Sequence, residues 1–121
     1  MLRVAVAEDN PKDRERLLSF LKQYGEEKHV QIEVTEYTDG SELLEQYRPC
    51  YDVIFLDVEM PQMDGMKAAE KIRETDEEVI LIFITNMAKY AIRGYEVQAL
   101  DYVLKPVKYQ AFSVKMDKVN R

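Results

Sequence analysis

Cysteine is almost absent from the 121 residues: Cys50 is the only one. A single thiol excludes an internal disulfide and a multi-cysteine metal site, and it fits a reducing compartment. No basic residue adjoins it, so it reads as an inert thiol beside the turn marked by Pro49. Histidine is as scarce, and the lone His29 sits in a polar connection where nothing suggests a role. Long apolar runs are missing too. The amino terminus MLRVAVAEDN has only a short apolar core before Glu8, too little for a signal peptide or a membrane span, which implies a soluble cytoplasmic protein with no membrane partner. Positive charge is in deficit, with 17 basic against 23 acidic residues and a formal net charge of −6. Such a surface repels phosphodiester backbones and anionic lipid, so nucleic-acid binding by this segment itself is disfavoured. Repeats, low-complexity tracts and linkers are likewise lacking. The length suits one ordinary domain, and residues 1–121 are read as one.

What is present alternates between apolar runs and amphipathic stretches. Strands are expected at Leu2 to Ala7, Val30 to Tyr37, Asp52 to Leu56, Val79 to Ile84 and Asp101 to Leu104. A first helix should open at Asn10-Pro11 and close at Gly25, with Leu17, Leu18, Leu21 and Tyr24 as its apolar stripe. Asp39-Gly-Ser-Glu42 has capping-box spacing ahead of Leu43, Leu44 and Tyr47. Asp64-Gly65 should precede a third helix with Ala69 and Ile72 inward, and Met87 to Arg93 a short fourth ended by Gly94. Tyr109, Phe112, Met116 and Val119 mark one face of a fifth that should end near residue 121.

Strand texture predicts the strand order. The first, third and fourth runs are almost continuously apolar, as in strands covered on both faces, whereas the second alternates Val30, Ile32 and Val34 with polar residues and the fifth is short and mixed. Edges at two and five match an α/β, doubly wound parallel sheet of order 2-1-3-4-5, with a ligand crevice above strands one and three.

At that crevice the chain supplies Glu8-Asp9 after the first strand and Asp57-Val58-Glu59 after the third. At about 4 Å and an effective dielectric of about 20, each like-charge pair costs on the order of 4 kcal/mol, which protonation or a cation must relieve. With no histidine or cysteine in reach, an all-oxygen site favours Mg²⁺ or Mn²⁺ over zinc. Thr85 ends the fourth strand with a hydroxyl and Lys105 follows the fifth with an ammonium. Carboxylate nucleophile, charge-cancelling metal and two donors suit formation of an acyl phosphate on an aspartate. Singly, each has a plainer explanation: Asp9, Asp57 and Thr85 as helix caps, Lys105 as a solvated lysine, Tyr102 as an edge-strand aromatic. It is the ordered set at successive strand ends that carries weight.

That set, Glu8-Asp9, DVIFLDVEMPQMDG, Thr85 and DYVLKP, resembles the receiver domain of two-component response regulators over essentially the whole chain. The resemblance implies a flavodoxin-like (βα)5 fold. Asp57 would accept a phosphoryl group from a sensor histidine kinase, with Mg²⁺ held by Glu8, Asp9, Asp57 and the backbone carbonyl of Glu59. Thr85 and Lys105 would bind the phosphoryl oxygens, Tyr102 would be the aromatic switch, and Lys105-Pro106 would be cis. Such a domain is a phosphoacceptor that assists its own phosphorylation and dephosphorylation and is not a conventional enzyme. The stretch YAIRGYEVQALDYVLKPV is most similar to receivers joined to LytTR-type DNA-binding domains, so contact with DNA would come only through a C-terminal output domain absent from this sequence. Tyr90, Tyr95, Val97 and Tyr109 mark the face of the fourth helix, fifth strand and fifth helix for homodimerisation or output-domain docking. Asn86 departs from the very small residue usual after the threonine, at a position bordering access to the phosphoryl group.

Two other classes compete. A haloacid-dehalogenase-type phosphatase also places an aspartate after an apolar strand, but its second acid is an aspartate where this chain has Glu59. A flavodoxin-like cofactor binder would need glycines after the first strand, where Glu8-Asp-Asn-Pro-Lys12 has none.

Overall fold

The structure, a computed structural model, describes residues 1–45 and 47–120. Gln46, inside the stretch expected to be helical, and Arg121, expected at the end of the last helix, lie outside the described residues. Strands β1 (Leu2–Ala7), β2 (Ile32–Tyr37), β3 (Val53–Leu56), β4 (Ile80–Thr85) and β5 (Asp101–Leu104) form one sheet in the order β2-β1-β3-β4-β5. Every pairing is parallel. Helices α1 (Pro11–Lys28), α2 (Gly40–Leu44), α3 (Gly65–Thr75), α4 (Arg93–Glu96) and α5 (Tyr109–Val119) alternate with the strands.

Burial follows the sequence texture. All of β3, Val4–Ala7 of β1 and Leu81–Thr85 of β4 are buried, whereas β2 and β5 contain no fully buried residue. Strand side chains alternate between two apolar layers. On one face Val4, Val6, Phe55 and Ile82 meet Leu21 and Tyr24 of α1 and Phe112 and Met116 of α5. On the other, Ile54, Leu56, Leu81 and Phe83 lie beneath Leu43 of α2 and Met66, Ala69 and Ile72 of α3. Burying a side chain such as Phe112 or Ile72 contributes roughly 1.5–3 kcal/mol, so the two layers hold the helices to the sheet and set where its carboxyl edge points.

The expected end of the first helix at Gly25 is corrected. The helix runs on to Lys28, and His29, at φ 56°, takes the left-handed position that closes it. Gly25 serves close approach instead: a Cβ there would stand 2.9 Å from the Val30 carbonyl oxygen, where the chain turns back towards β2. The expected fourth helix over Met87–Arg93 is also corrected. A 3-10 turn at Ala88–Tyr90 is followed by α4, which contains Gly94 instead of ending at it. No side chain caps the turn, and successive bonds from Ala91 to Ala88, Gly94 to Ala91 and Tyr95 to Ile92 span three residues each. At α2, Asp39 caps the helix, but Glu42 reaches back to Thr38 N–H and Oγ1, one residue beyond the capping-box partner. β2 and β3 start later than expected, and β4 is displaced by one residue at each end.

Candidate functional site

The acidic pair and the single aspartate converge because β1 and β3 are neighbours in register, Ala7 opposite Leu56. The next residues therefore leave the sheet side by side. Asp57 N–H donates to the Ala7 carbonyl at 3.1 Å, and Glu8 N–H to that of Tyr37 at 3.0 Å. Glu8 and Asp57 are buried, at 5% and 6% exposure, while Asp9 is exposed. Carboxylate oxygens of all three lie within 4.8 Å of one another. Each buried acid is held in place: Glu8 Oε2 accepts from Asn10 N–H at 3.1 Å, and Asp57 Oδ1 accepts from Glu59 N–H at 3.0 Å. Arg14 Nη1 donates to the Glu8 carbonyl at 2.8 Å. The Glu59 side chain itself is exposed. Behind Asp57, α3 begins so close that a Cβ on Gly65 would stand 2.0 Å from the Asp57 carbonyl oxygen, so only glycine fits. Asp39 ties the loop between them to α2, accepting from Gln62 N–H at 3.0 Å and Met63 N–H at 3.3 Å.

β4 and β5 deliver the other two groups. Lys105 N–H donates to the Thr85 carbonyl at 2.9 Å, which sets the residues adjacent. Thr85 is fully buried, its Oγ1 accepting from Met87 N–H at 3.2 Å. The same Met87 is gripped from its other side, its carbonyl accepting from the Tyr102 hydroxyl. The Tyr102 ring packs on Phe83, centroids 5.5 Å apart. Lys105-Pro106 is cis, as the resemblance implies. Of the residues expected on the α4-β5-α5 face, Tyr95 is 85% exposed, but Val97 is buried in the core and Tyr109 turns to α1, bonding Glu27.

The Lys105 ammonium lies in the middle of the acids. Its Nζ is 2.8 Å from Glu8 Oε1, 2.7 Å from Asp57 Oδ2 and 2.7 Å from Asp13 Oδ2. Burial alone would depress this ammonium, but bonds to Asp13, Asp57 and Glu8 outweigh it and hold it above the usual lysine value. Burial pushes Glu8 up to about 7, against the pull of Lys105 and Asn10 N–H and with the charge of Asp57 adding to the rise. The Tyr102 phenol is raised by burial and then by the charge of Asp57. One ammonium among four carboxylates, two of them buried, thus leaves negative charge uncompensated at the sheet edge.

Asp13 was not among the residues expected here. It occupies the first turn of α1, its N–H donating to Asn10 Oδ1 at 3.1 Å. A signal was available: Asn10 is a cap residue, and Asp13 is the residue three on whose N–H such a cap accepts, in the turn that follows the acidic pair.

A parallel sheet of this order, with buried acids and a lysine meeting at its carboxyl edge, has the architecture of a receiver. The family model described as response regulator receiver domain matches residues 4–117. The sensory transduction protein LytT of Oceanobacillus iheyensis is 34% identical, over 99% of this chain and 48% of its own length. The transcriptional regulatory protein BtsR of Escherichia coli is 32% identical over 88% of this chain and 43% of its length. Among solved structures, response regulator TrrA from Thermotoga maritima, in complex with Mg²⁺-BeF, superposes with a TM-score of 0.82 at 27% identity, covering 98% of this chain and 99% of that one. This chain belongs to the response regulator receiver domain family. It spans about half the length of LytT and BtsR, and the match to LytT agrees with the LytTR-type kinship expected from its last third. The phosphatase alternative gains no support from these matches. No helix among the described residues is long and apolar enough to cross a membrane.

Proposed function

We propose that this domain is the phosphoacceptor of a two-component system and that Asp57 takes the phosphoryl group from a phosphohistidine of a sensor histidine kinase. One observation carries the reading: a buried aspartate at the end of β3 has two more carboxylates within 4.8 Å and a lysine ammonium at 2.7 Å. The donor set is all oxygen and under-neutralised, which fits Mg²⁺ or Mn²⁺. Glu8, Asp9, Asp57 and the backbone carbonyl of Glu59 would hold the ion, and the Mg²⁺-BeF complex of TrrA supports this choice. When bound, the ion supplies positive charge to acids and phosphoryl oxygens alike.

An Asp57 carboxylate oxygen attacks the donor phosphorus in line. The new O–P bond forms as the P–N bond breaks, and its electron pair stays with the imidazole. Lys105 then donates to a phosphoryl oxygen, and Thr85, leaving Met87 N–H, donates its hydroxyl to another. With Met87 released on one side, Tyr102 is free to move into the space Thr85 vacates, which shifts the packing of α4, β5 and α5. The same residues assist hydrolysis of the acyl phosphate, with Asn86 bordering the approach. Exposed Ile92, Tyr95 and Leu104 on this side offer contact to a second copy or to an output domain. DNA would be reached only through such an output domain, of LytTR type, and the whole regulator would act in the cytoplasm.

Incubation with acetyl phosphate, or with a phosphorylated kinase, plus Mg²⁺ should label the native domain and leave Asp57→Asn unlabelled. Equal labelling of the variant would refute the assignment.

A further inference from the structure

We propose that Asp13 is a positioning residue that competes with the phosphoryl group for Lys105 and so raises the threshold for the active packing; this rests on the reading of Asp57 given above. An ammonium has three N–H donors. Two of them donate to Asp57 and Asp13 at 2.7 Å, and Glu8 Oε1 pairs with the same ammonium at 2.8 Å. A phosphoryl oxygen therefore meets an ammonium already surrounded by three carboxylates and must compete with them for it.

The three partners differ in what phosphorylation does to them. Asp57 is itself converted, so its bond to Lys105 passes to the group it now carries. Glu8 belongs to the cluster of acids that share a 4.8 Å neighbourhood, and a cation there draws its charge away from Lys105. Asp13 is outside that cluster. Its backbone is fixed in the first turn of α1 by the Asn10 cap, and its side chain is 31% exposed, at a cavity of about 210 Å³ that Asn86, Lys105 and Pro106 also line. It is the one partner that neither the modification nor a cation removes. It keeps pulling the ammonium towards α1 while the phosphoryl group pulls it towards β3.

Removing the Asp13 charge has opposite consequences for the two ligands. In Asp13→Asn, Lys105 is freer to meet a phosphoryl oxygen, but it also pairs more fully with Glu8 and Asp57 and competes better with a metal. The test is titration by ¹⁹F NMR with beryllium fluoride, a phosphoryl mimic, at saturating Mg²⁺, beside a Mg²⁺ titration without fluoride. Expected for Asp13→Asn is beryllium fluoride binding tightened about fivefold, the scale of a partly exposed ion pair, together with weaker Mg²⁺ binding. A purely structural lesion would weaken both. Asp13→Glu, which keeps the charge, should restore the native values. In a Lys105→Gln background the Asp13→Asn effect should fall below about twofold, because the competition runs through that ammonium. Unchanged or weaker beryllium fluoride binding in Asp13→Asn, or an effect that persists without Lys105, overturns the proposal and leaves Asp57 as acceptor intact. A native domain that takes up no beryllium fluoride, or an Asp57→Asn variant that takes up as much, overturns both.

Discussion

The helices that follow β3 and β4 flank the same site and are built in contrasting ways. Before α3, Asp64 caps the helix through Lys67 N–H at 2.8 Å, Gly65 N–H is bonded to the Val58 carbonyl, and Asp39 holds the loop across to α2. Before α4, no side chain caps the 3-10 turn, three-residue bonds replace helical ones, and Ile92 and Tyr95 stand 77% and 85% exposed. The α4 segment is held from its far end, where Arg73 of α3 donates to the Val97 carbonyl at 2.7 Å and to that of Gln98 at 3.2 Å. One side of the crevice therefore keeps the acids at fixed separation, and the other has little local structure to lose. A region that must repack on a signal is drawn from the second kind.

The largest expected effect separates two glycines. Gly65→Ala puts a Cβ 2.0 Å from the Asp57 carbonyl oxygen, so backbone must move; it should cost about 2–4 kcal/mol in urea unfolding and abolish labelling of Asp57. Gly94→Ala meets nothing closer than 3.7 Å, and it should leave stability unchanged or raise it by up to about 1 kcal/mol. Equal losses at the two positions would erase the contrast.

Next in size is Asp39→Ala. It strips acceptors from the Ser41, Gln62 and Met63 N–H groups, and a loss of about 1–3 kcal/mol is expected, with faster amide exchange at Gln62 and Met63 and little change around α4. Exchange that quickens equally in both segments would mean that they open as one unit.

The smallest effect belongs to the β5 side. Burial would raise the Asp101 carboxyl, but Lys115 Nζ at 2.6 Å, Tyr102 N–H and Lys118 outweigh it and hold it below the ordinary carboxylate range. A carboxyl lowered on folding stabilises above its unfolded value of about 3.9 and loses that contribution as pH falls through its folded value. Asp101→Asn should therefore be less stable at pH 7 by no more than about 1 kcal/mol, with thermal melts converging on those of the native domain well below pH 4. A gap that persisted in acid would tie the loss to packing.

Much of this was legible from residues alone. β1 and β5 fall where their runs of Leu2–Ala7 and Asp101–Leu104 lie, and edge and centre are distinguished by whether one face or both is apolar. Glu8, Asp9, Asp57 and Lys105 were legible as strand-end residues of a doubly wound sheet, and they do meet. What escaped depends on distances along no single element. Gly25 looked like a stop because glycine commonly ends helices; its actual neighbour is the Val30 carbonyl on the returning chain. The α4 segment carries helix-forming residues, but without a cap its bonds settle into three-residue turns. Asp13 looked like an ordinary first-turn acid, and its bond to Lys105 spans 92 positions.

The order of apolar and polar residues determined the layers, the strand order and which carboxylates leave the sheet at its carboxyl edge, because side-chain periodicity and hydrophobic burial are local and additive. Only the tertiary structure decided which partners share the Lys105 ammonium and how closely α3 begins over Asp57. Those outcomes depend on ångström-scale separations between segments distant in sequence, and Coulomb and contact energies change too steeply with distance for residue order to specify them.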